Sequence, residues 1–105
     1  MSKLSKAELD ALVGEAIVDC YDREEQAAGL YTMIQDNLAT PFQTQVLGLD
    51  VVVKDVDLRD DAGVVAICTR GAFRQAVPIL DLPLPVPRPE GAEWIDAYRR
   101  WVKGT

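Results

Sequence analysis

The chain lacks histidine altogether, and this absence removes several kinds of chemistry at once. Histidine is the commonest general base, the usual partner of a serine or cysteine nucleophile, and a ligand in most zinc sites. The only serines, Ser2 and Ser5, lie at the start of the chain, and neither a GxGxxG nor a GxxxxGKS/T phosphate loop occurs. We therefore do not expect an enzyme. A carboxylate-based enzyme would need a cleft that holds at least one carboxyl group with a strongly raised pKa.

Cysteines and long apolar runs are also scarce. Cys20 and Cys68 are far apart and have no CxxC context, so ordinary core thiols are expected rather than a metal or redox site. No apolar run approaches the ~20 residues that a membrane span needs. The first residues, MSKLSKAELDALVG, interleave charges with apolar residues, unlike a signal peptide. We expect one domain, residues 1–105, located in the cytoplasm.

Acidic residues are abundant and unevenly distributed. The formal net charge is −6, and residues 1–61 hold 13 of the 17 acidic residues but only 5 of the 11 basic ones. This charge repels phosphate backbones and disfavours nucleic-acid binding, whereas it favours divalent cations or a basic protein partner. Charge that only keeps the protein in solution is the simpler alternative.

Two helices are predicted in the first part of the chain. Ser5 and Glu8 form a capping-box pattern at the start of the first helix. Asp22 is placed to cap the second helix, which should end near Thr40 because Pro41 disfavours helical geometry in the residue before it. The predicted core face of the second helix comprises Ala27, Leu30, Tyr31, Ile34 and Leu38, and its predicted solvent face comprises Glu25, Gly29, Thr32 and Asp36.

The rest of the chain predicts a sheet and one more helix. Residues 81–90, DLPLPVPRPE, place proline at every second position from 83 to 89, which indicates an extended connector. A closing helix follows, with Trp94, Tyr98, Trp101 and Val102 on one face. The predicted strands are Phe42 to Leu47, Leu49 to Leu58, Val64 to Arg70 and Phe73 to Ile79. The expected fold class is α+β: two N-terminal helices, a four- to five-stranded antiparallel sheet or small barrel, and a C-terminal helix.

The segment KDVDLRDDAG, residues 54–63, contains four aspartates, Asp55, Asp57, Asp60 and Asp61. Ca²⁺ takes about six to eight oxygen ligands and tolerates irregular geometry, so clustered carboxylates suit it. The spacing is not that of an EF-hand, because the sixth position counted from Asp55 is Asp60 rather than glycine and the twelfth is Ala66 rather than an acid. By itself the segment also fits a solvated turn between two strands.

Asp36 offers a second place for a cation. A carboxylate in the last turn of a helix is mildly unfavourable, because the dipole there is negative and the final carbonyls lack partners. A bound cation would reverse this penalty by using Asp36, carbonyls from residues 37–40 and a carboxylate from the acidic segment. Such a composite site requires that the end of the helix and the acidic segment meet. The alternative is that Asp36 is an exposed polar residue without a ligand.

Three stretches of the sequence resemble one family. YDREEQAAGLYTMIQDNLATPF, residues 21–42, is similar to the signature of the cyanobacterial-type calcium-binding proteins (CcbP-like, without EF-hands): a tyrosine, then EEQA, glycine, tyrosine, DxL and PF. AVPILDL, residues 76–82, resembles that family's AVPLxxL strand, and Trp94 with the WV pair at 101–102 resembles its closing helix. The connection around Gly48 is shorter than in the family, and the closing helix is less aromatic.

The resemblance implies a small acidic α+β protein that binds Ca²⁺ at its surface as a buffer or signalling component. By position, Asp36 matches the aspartate of the family's DxL and is the first ligand candidate. Asp57, Asp60 and Asp61 fall in a segment that is also acidic in the family. The alternative function is an acidic interaction module that docks a basic protein partner without metal. No nucleic-acid or membrane partner is expected, and the chain should be a monomer or a weak dimer.

Overall fold

The computed structural model describes residues 4–104, in which three helices pack on one sheet. The elements are α1 (Lys6–Ala16), α2 (Arg23–Asn37), β1 (Phe42–Val46), β2 (Leu49–Arg59), β3 (Gly63–Arg70), β4 (Phe73–Pro78), a 3-10 turn (Ile79–Asp81) and α3 (Glu93–Val102). The strands form one antiparallel sheet in the order β1-β2-β3-β4. The α+β fold class is therefore confirmed. Among the described strands the sheet is an open meander rather than a barrel, because β1 and β4 do not pair.

α1 and α2 begin where their capping residues predict. The Ser5 hydroxyl accepts a hydrogen bond from the Glu8 amide at 3.1 Å, and the Glu8 carboxylate accepts one from the Ser5 amide at 3.0 Å. At the second helix the Asp22 carboxylate accepts from the Glu25 amide at 2.8 Å. Both interactions satisfy amides that have no partner within their own helix.

α2 ends earlier than predicted. Its last helical residue is Asn37, and Leu38 already has extended backbone, whereas the sequence predicted an end near Thr40. The Ala39 amide bonds to the Glu90 carbonyl at 2.8 Å instead of to a helical carbonyl. A tertiary hydrogen bond to a residue far along the chain thus ends the helix before the proline does.

One residue of α2 lies on the face opposite to the one predicted. Leu30, Ile34 and Leu38 are buried as expected, but the prediction that Gly29 faces solvent is wrong. Gly29 is half-buried where α1 crosses α2, and a Cβ there would collide with the Ala16 carbonyl oxygen. Glycine at this position lets the two helices approach closely, which a helical-wheel argument on α2 alone cannot reveal.

The core lies between the helices and one face of the sheet. α3 contributes Trp94, Ile95 and Tyr98 to it, and Trp101 is half-buried against it. The predicted inner face of the closing helix is therefore confirmed for Trp94, Tyr98 and Trp101 but wrong for Val102, which is 41% exposed at the end of the helix. Residues 82–89 have neither helix nor strand, as predicted for the proline-rich connector, which is called the strap below. Within residues 4–104 no helix is both long and apolar enough to span a membrane. The fully buried core side chains include Leu30, Ile34, Val53, Val64, Ile79 and Ile95.

Candidate metal site

The acidic segment forms the second half of β2 and the turn to β3. β1 pairs with β2 only as far as Val53, which lies opposite Phe42. In the described part of the chain, residues 54–59 therefore have β3 on one side and no strand on the other. A strand edge of this kind presents amides and carbonyls that need partners from elsewhere.

Asp55 and Asp57 provide such partners to their own strand. The Asp55 carboxylate accepts a hydrogen bond from the Val56 amide at 2.8 Å, and the Asp57 carboxylate accepts one from the Leu58 amide at 2.9 Å. From α2, the Tyr31 hydroxyl lies 3.5 Å from the Val56 carbonyl oxygen, to which it donates. The alternating aspartates thus stabilise the open edge of β2. This role was missed in the sequence analysis. The alternation of aspartate with apolar residues in DVDL, residues 55–58, is the pattern that could have indicated it.

Asp57 is already engaged by a cation of the chain itself. Its second carboxylate oxygen lies 3.0 Å from Arg59 Nε, and both side chains are about half exposed. The hydrogen bond from Arg59, followed by the one from the Leu58 amide, lowers the pKa of Asp57. The carboxylate is therefore charged at neutral pH, but a metal ion there has to compete with Arg59.

The turn between β2 and β3 presents its two carboxylates to solvent. Asp60 and Asp61 are exposed, and neither forms an ion pair with any residue between 4 and 104. Gly63 closes the turn with φ of +71°, a conformation that glycine adopts without strain. The two aspartates thus satisfy the first requirement for a calcium ligand, an oxygen that is accessible and not already paired.

The backbone below this turn is anchored to α3. The Tyr98 hydroxyl packs against Gly63 and accepts a hydrogen bond from the buried Val64 amide at 3.2 Å. The Tyr98 ring stacks on Trp101 with 6.0 Å between ring centroids, and Trp101 Nε1 donates to the Gln26 side chain at 3.0 Å. The acidic turn is therefore connected through two aromatic rings to the beginning of α2. The sequence placed Tyr98 on the inner face of its helix but contained no signal for its hydrogen bond.

Asp36 lies at the other end of α2. The last turn of α2 is beside Glu90, because the Ala39 amide bonds to the Glu90 carbonyl, whereas the first turn is beside Trp101. α2 and α3 consequently run antiparallel. The end of α2 lies beside the start of α3, whereas Tyr98, which holds the acidic turn, is about 7.5 Å further along the α3 axis. Asp36 is exposed and forms no ion pair among the described residues.

The four predicted ligands therefore fall into two places. Asp57, Asp60 and Asp61 belong to one hairpin, whereas Asp36 is on the far side of the Tyr31–Val56 contact. Ca²⁺ ligands lie about 2.3–2.6 Å from the ion, so a site shared by both places requires their carboxylates to come together. Within residues 4–104 no three Asp, Glu or Cys side chains are already gathered around a common point. The assignment of each aspartate as a ligand stays a prediction.

Fold and surface together define a class: a small acidic α+β domain whose exposed oxygen donors project from an anchored hairpin. A family model described as calcium binding, of the CcbP type, matches residues 10–102, and the chain belongs to this calcium-binding family. The resemblance found in the sequence is thereby confirmed, and Ca²⁺ is the cation associated with the family. No curated protein and no solved structure matches the chain.

Proposed function

We propose that the protein binds Ca²⁺ at surface carboxylates outside any EF-hand and acts as a cytoplasmic calcium buffer or signalling component. One observation supports this most directly: Asp60 and Asp61 are exposed and without an ion-pair partner in the described chain, on a turn whose backbone is held by Tyr98. An anchored turn loses little conformational freedom when a cation orders its carboxylates. Water completes the coordination shell, as is common for calcium at a protein surface.

Asp57 joins this site by exchanging its partner. Its ion pair with Arg59 is about half exposed, and such pairs contribute only about 0–1 kcal/mol. A divalent ion held by Asp60 and Asp61 therefore displaces Arg59 from Asp57 at little cost. Asp36 forms a second, separate and weaker position at the end of α2, where the free carbonyls and the helix dipole favour a cation.

We propose a binding role rather than catalysis. Support comes from the absence of histidine and from the direction of the carboxyl pKa shifts. The pKa values of Glu8, Asp10 and Asp57 are all lowered, because hydrogen-bond donors stabilise their charged forms. A carboxyl group that acts as a general acid needs the opposite shift.

Isothermal titration calorimetry with CaCl₂ and with MgCl₂ tests the proposal. We expect Asp60→Asn/Asp61→Asn to weaken the stronger calcium site by roughly tenfold or more, because two ligand charges are lost. Asp36→Ala should leave that site unchanged and remove only a weaker phase. Asp50→Asn is the matched control, since Asp50 lies at the opposite end of β2 and its partner, the Gln45 side chain, remains. The proposal would be overturned if the native protein gave no heat of calcium binding, or if Asp50→Asn lost as much calcium affinity as Asp60→Asn/Asp61→Asn.

An acidic interaction module is the second candidate. The exposed Glu24 and Glu25 begin α2, at the same end of the molecule as Asp60 and Asp61, so the acidic surface is larger than a single metal site requires. This candidate predicts that a lysine-rich peptide binds equally well with EDTA and with calcium. Binding would weaken with salt and with the Asp60→Asn/Asp61→Asn change. Competition between the peptide and calcium would instead place both ligands on the same carboxylates.

A further inference from the structure

A groove on the other side of α3 is not used by the proposed calcium site. It has a volume of about 640 Å³ and lies between the start of α1, the proline-rich strap and the second half of α3. Volumes of this order are typical of ligand and peptide sites. Its floor is aliphatic and comprises Leu4, Leu9, Leu82, Leu84, Pro85 and Val86.

The border of the groove is cationic, in contrast to the rest of the chain. Among the lining residues within 4–104, Asp96 is the only carboxylate, although the protein as a whole has a net charge of −6. It is paired with Arg88 at 2.9 Å, so it neutralises only one of the cations. The cations at the border are Lys6, Arg88, Arg99, Arg100 and Lys103.

Two of these cations have no ion pair within the described chain. Arg100 pairs with Asp10 at 3.0 Å, and Arg99 donates to the Leu80 carbonyl at 3.1 Å. Lys6 and Lys103 form no ion pair with any residue between 4 and 104. They lie on different elements, at the beginning of α1 and just after α3, so they approach the groove from two sides.

The apolar floor is partly exposed among the described residues: Leu82 is buried, whereas Leu9 and Leu84 are half-buried. Val86 has 91% of its surface exposed, although it sits between prolines in the strap. Proline restricts the backbone of the strap, so the groove does not have to be ordered when a ligand binds. A partly exposed aliphatic floor bordered by like charges indicates a surface for a partner of opposite charge.

The groove continues beyond the Arg88–Asp96 pair. A neighbouring depression of about 670 Å³ shares Leu4, Val86 and both members of this pair, and it extends towards Glu8 and Glu93. The combined surface is elongated, with a cationic end and an acidic end. This shape suits a segment of protein chain lying along it better than a compact small molecule.

We propose that this groove docks an acidic amphipathic helix of a partner protein. The aliphatic side chains of that helix enter the floor formed by α1 and the strap. Its Asp and Glu side chains meet Lys6, Arg99 and Lys103 at the cationic end. Docking of a helix through one apolar face is a recurrent mode of recognition, and charge complementarity sets its orientation. This inference does not depend on the calcium site.

Fluorescence anisotropy tests the inference with a labelled helical peptide that has leucine at helical spacing and glutamate elsewhere. A second peptide with lysine in place of glutamate is the charge control. We expect the glutamate peptide to bind, and Lys6→Glu/Lys103→Glu to weaken it by about tenfold or more, with less effect at high salt. Lys54→Glu/Arg70→Glu, on the sheet, changes the net charge equally and should weaken binding by less than about twofold. Val86→Asp adds a test of the floor at a position where substitution removes no packing.

Several results would overturn the inference. One is that the glutamate peptide does not bind at concentrations up to about 1 mM. Another is that the lysine peptide binds as well as the glutamate peptide. A third is that both double variants weaken binding equally, which would indicate a general charge effect. Sedimentation equilibrium tests whether a second copy of this chain occupies the groove instead. If the native protein is a dimer and Lys6→Glu/Lys103→Glu dissociates it, the groove is an interface between two copies of this chain.

Discussion

The Tyr98→Phe variant tests how the acidic turn is held in place. The substitution removes one hydroxyl and keeps the ring that stacks on Trp101. In the native protein this hydroxyl accepts a hydrogen bond from the Val64 amide. Val64 lies one residue beyond the last pair of β3 with β4, in which Pro78 is opposite Val65. Val64 is 1% exposed and Tyr98 is 6% exposed, so water does not readily replace the lost acceptor.

The magnitude follows from this burial. A buried amide left without a partner costs about 1–3 kcal/mol, and packing changes little because the ring remains. A loss of about 2 kcal/mol lowers the melting temperature of a domain of this size by roughly 8–16 °C. The urea midpoint should fall by about 1 M with an unchanged slope.

Urea unfolding followed by tryptophan fluorescence measures this loss. Tyr21→Phe is the matched control, since Tyr21 is 88% exposed and should change stability by less than about 0.5 kcal/mol. A Tyr98→Phe variant as stable as the Tyr21→Phe control would refute the role of the hydroxyl. A changed slope would indicate instead that the native state has altered.

Three further predictions concern the open edge of β2 and the contact between the first two helices. Burial, followed by the charges of Asp57 and Asp55, raises the pKa of Tyr31, so Asp57→Asn should lower this pKa in an ultraviolet absorbance titration. The folded pKa of Asp57 is lowered, so its stabilisation is present above its unfolded value of about 4 and is lost as the pH falls through the folded value. The difference in urea stability between the native protein and Asp57→Asn should therefore be constant above about pH 5 and shrink as the pH falls below about 4. Gly29→Ala should destabilise by about 1–3 kcal/mol because its Cβ meets α1, whereas Gly14→Ala, in open space, should stabilise by about 0.5–1 kcal/mol.

Each of these predictions has a defined contrary outcome. An unchanged Tyr31 titration in Asp57→Asn would mean that the two side chains are not coupled, and Asp50→Asn should leave the titration unchanged in any case. A stability difference that stays constant as the pH falls would show that the Asp57 charge does not contribute to folding. Equal effects of the two glycine substitutions would mean that α1 and α2 do not approach closely at Gly29.

Much of the fold could be read from the sequence because its signals are local. Ser5 with Glu8, and Asp22 ahead of Glu25, specify helix starts within three residues, and both capping interactions form as predicted. The strands were predicted to within one or two residues at each end, because valine-rich runs are separated by short turns. The family signature in residues 21–42 was also a property of contiguous residues.

The candidate site was predictable only in part. The sequence identified Asp57, Asp60 and Asp61 as one acidic segment, and they do share one hairpin. It could not establish whether Asp36 reaches them, since this depends on the antiparallel packing of α2 and α3. The Asp57–Arg59 pair was also missed in the sequence analysis, although residues two apart on a strand share one face.

By itself, then, the sequence determined the elements of this protein, its acidity and its family, because caps, periodicity and motifs act over a few neighbouring residues. Tertiary structure alone decided where α2 ends, why Gly29 is needed and how Tyr98 anchors the turn. It also placed Asp36 at the end of α2 remote from Trp101 and assembled a cationic groove in an acidic chain. These features depend on residues such as Val64 and Tyr98, which are 34 positions apart, and contacts over that distance leave no local pattern.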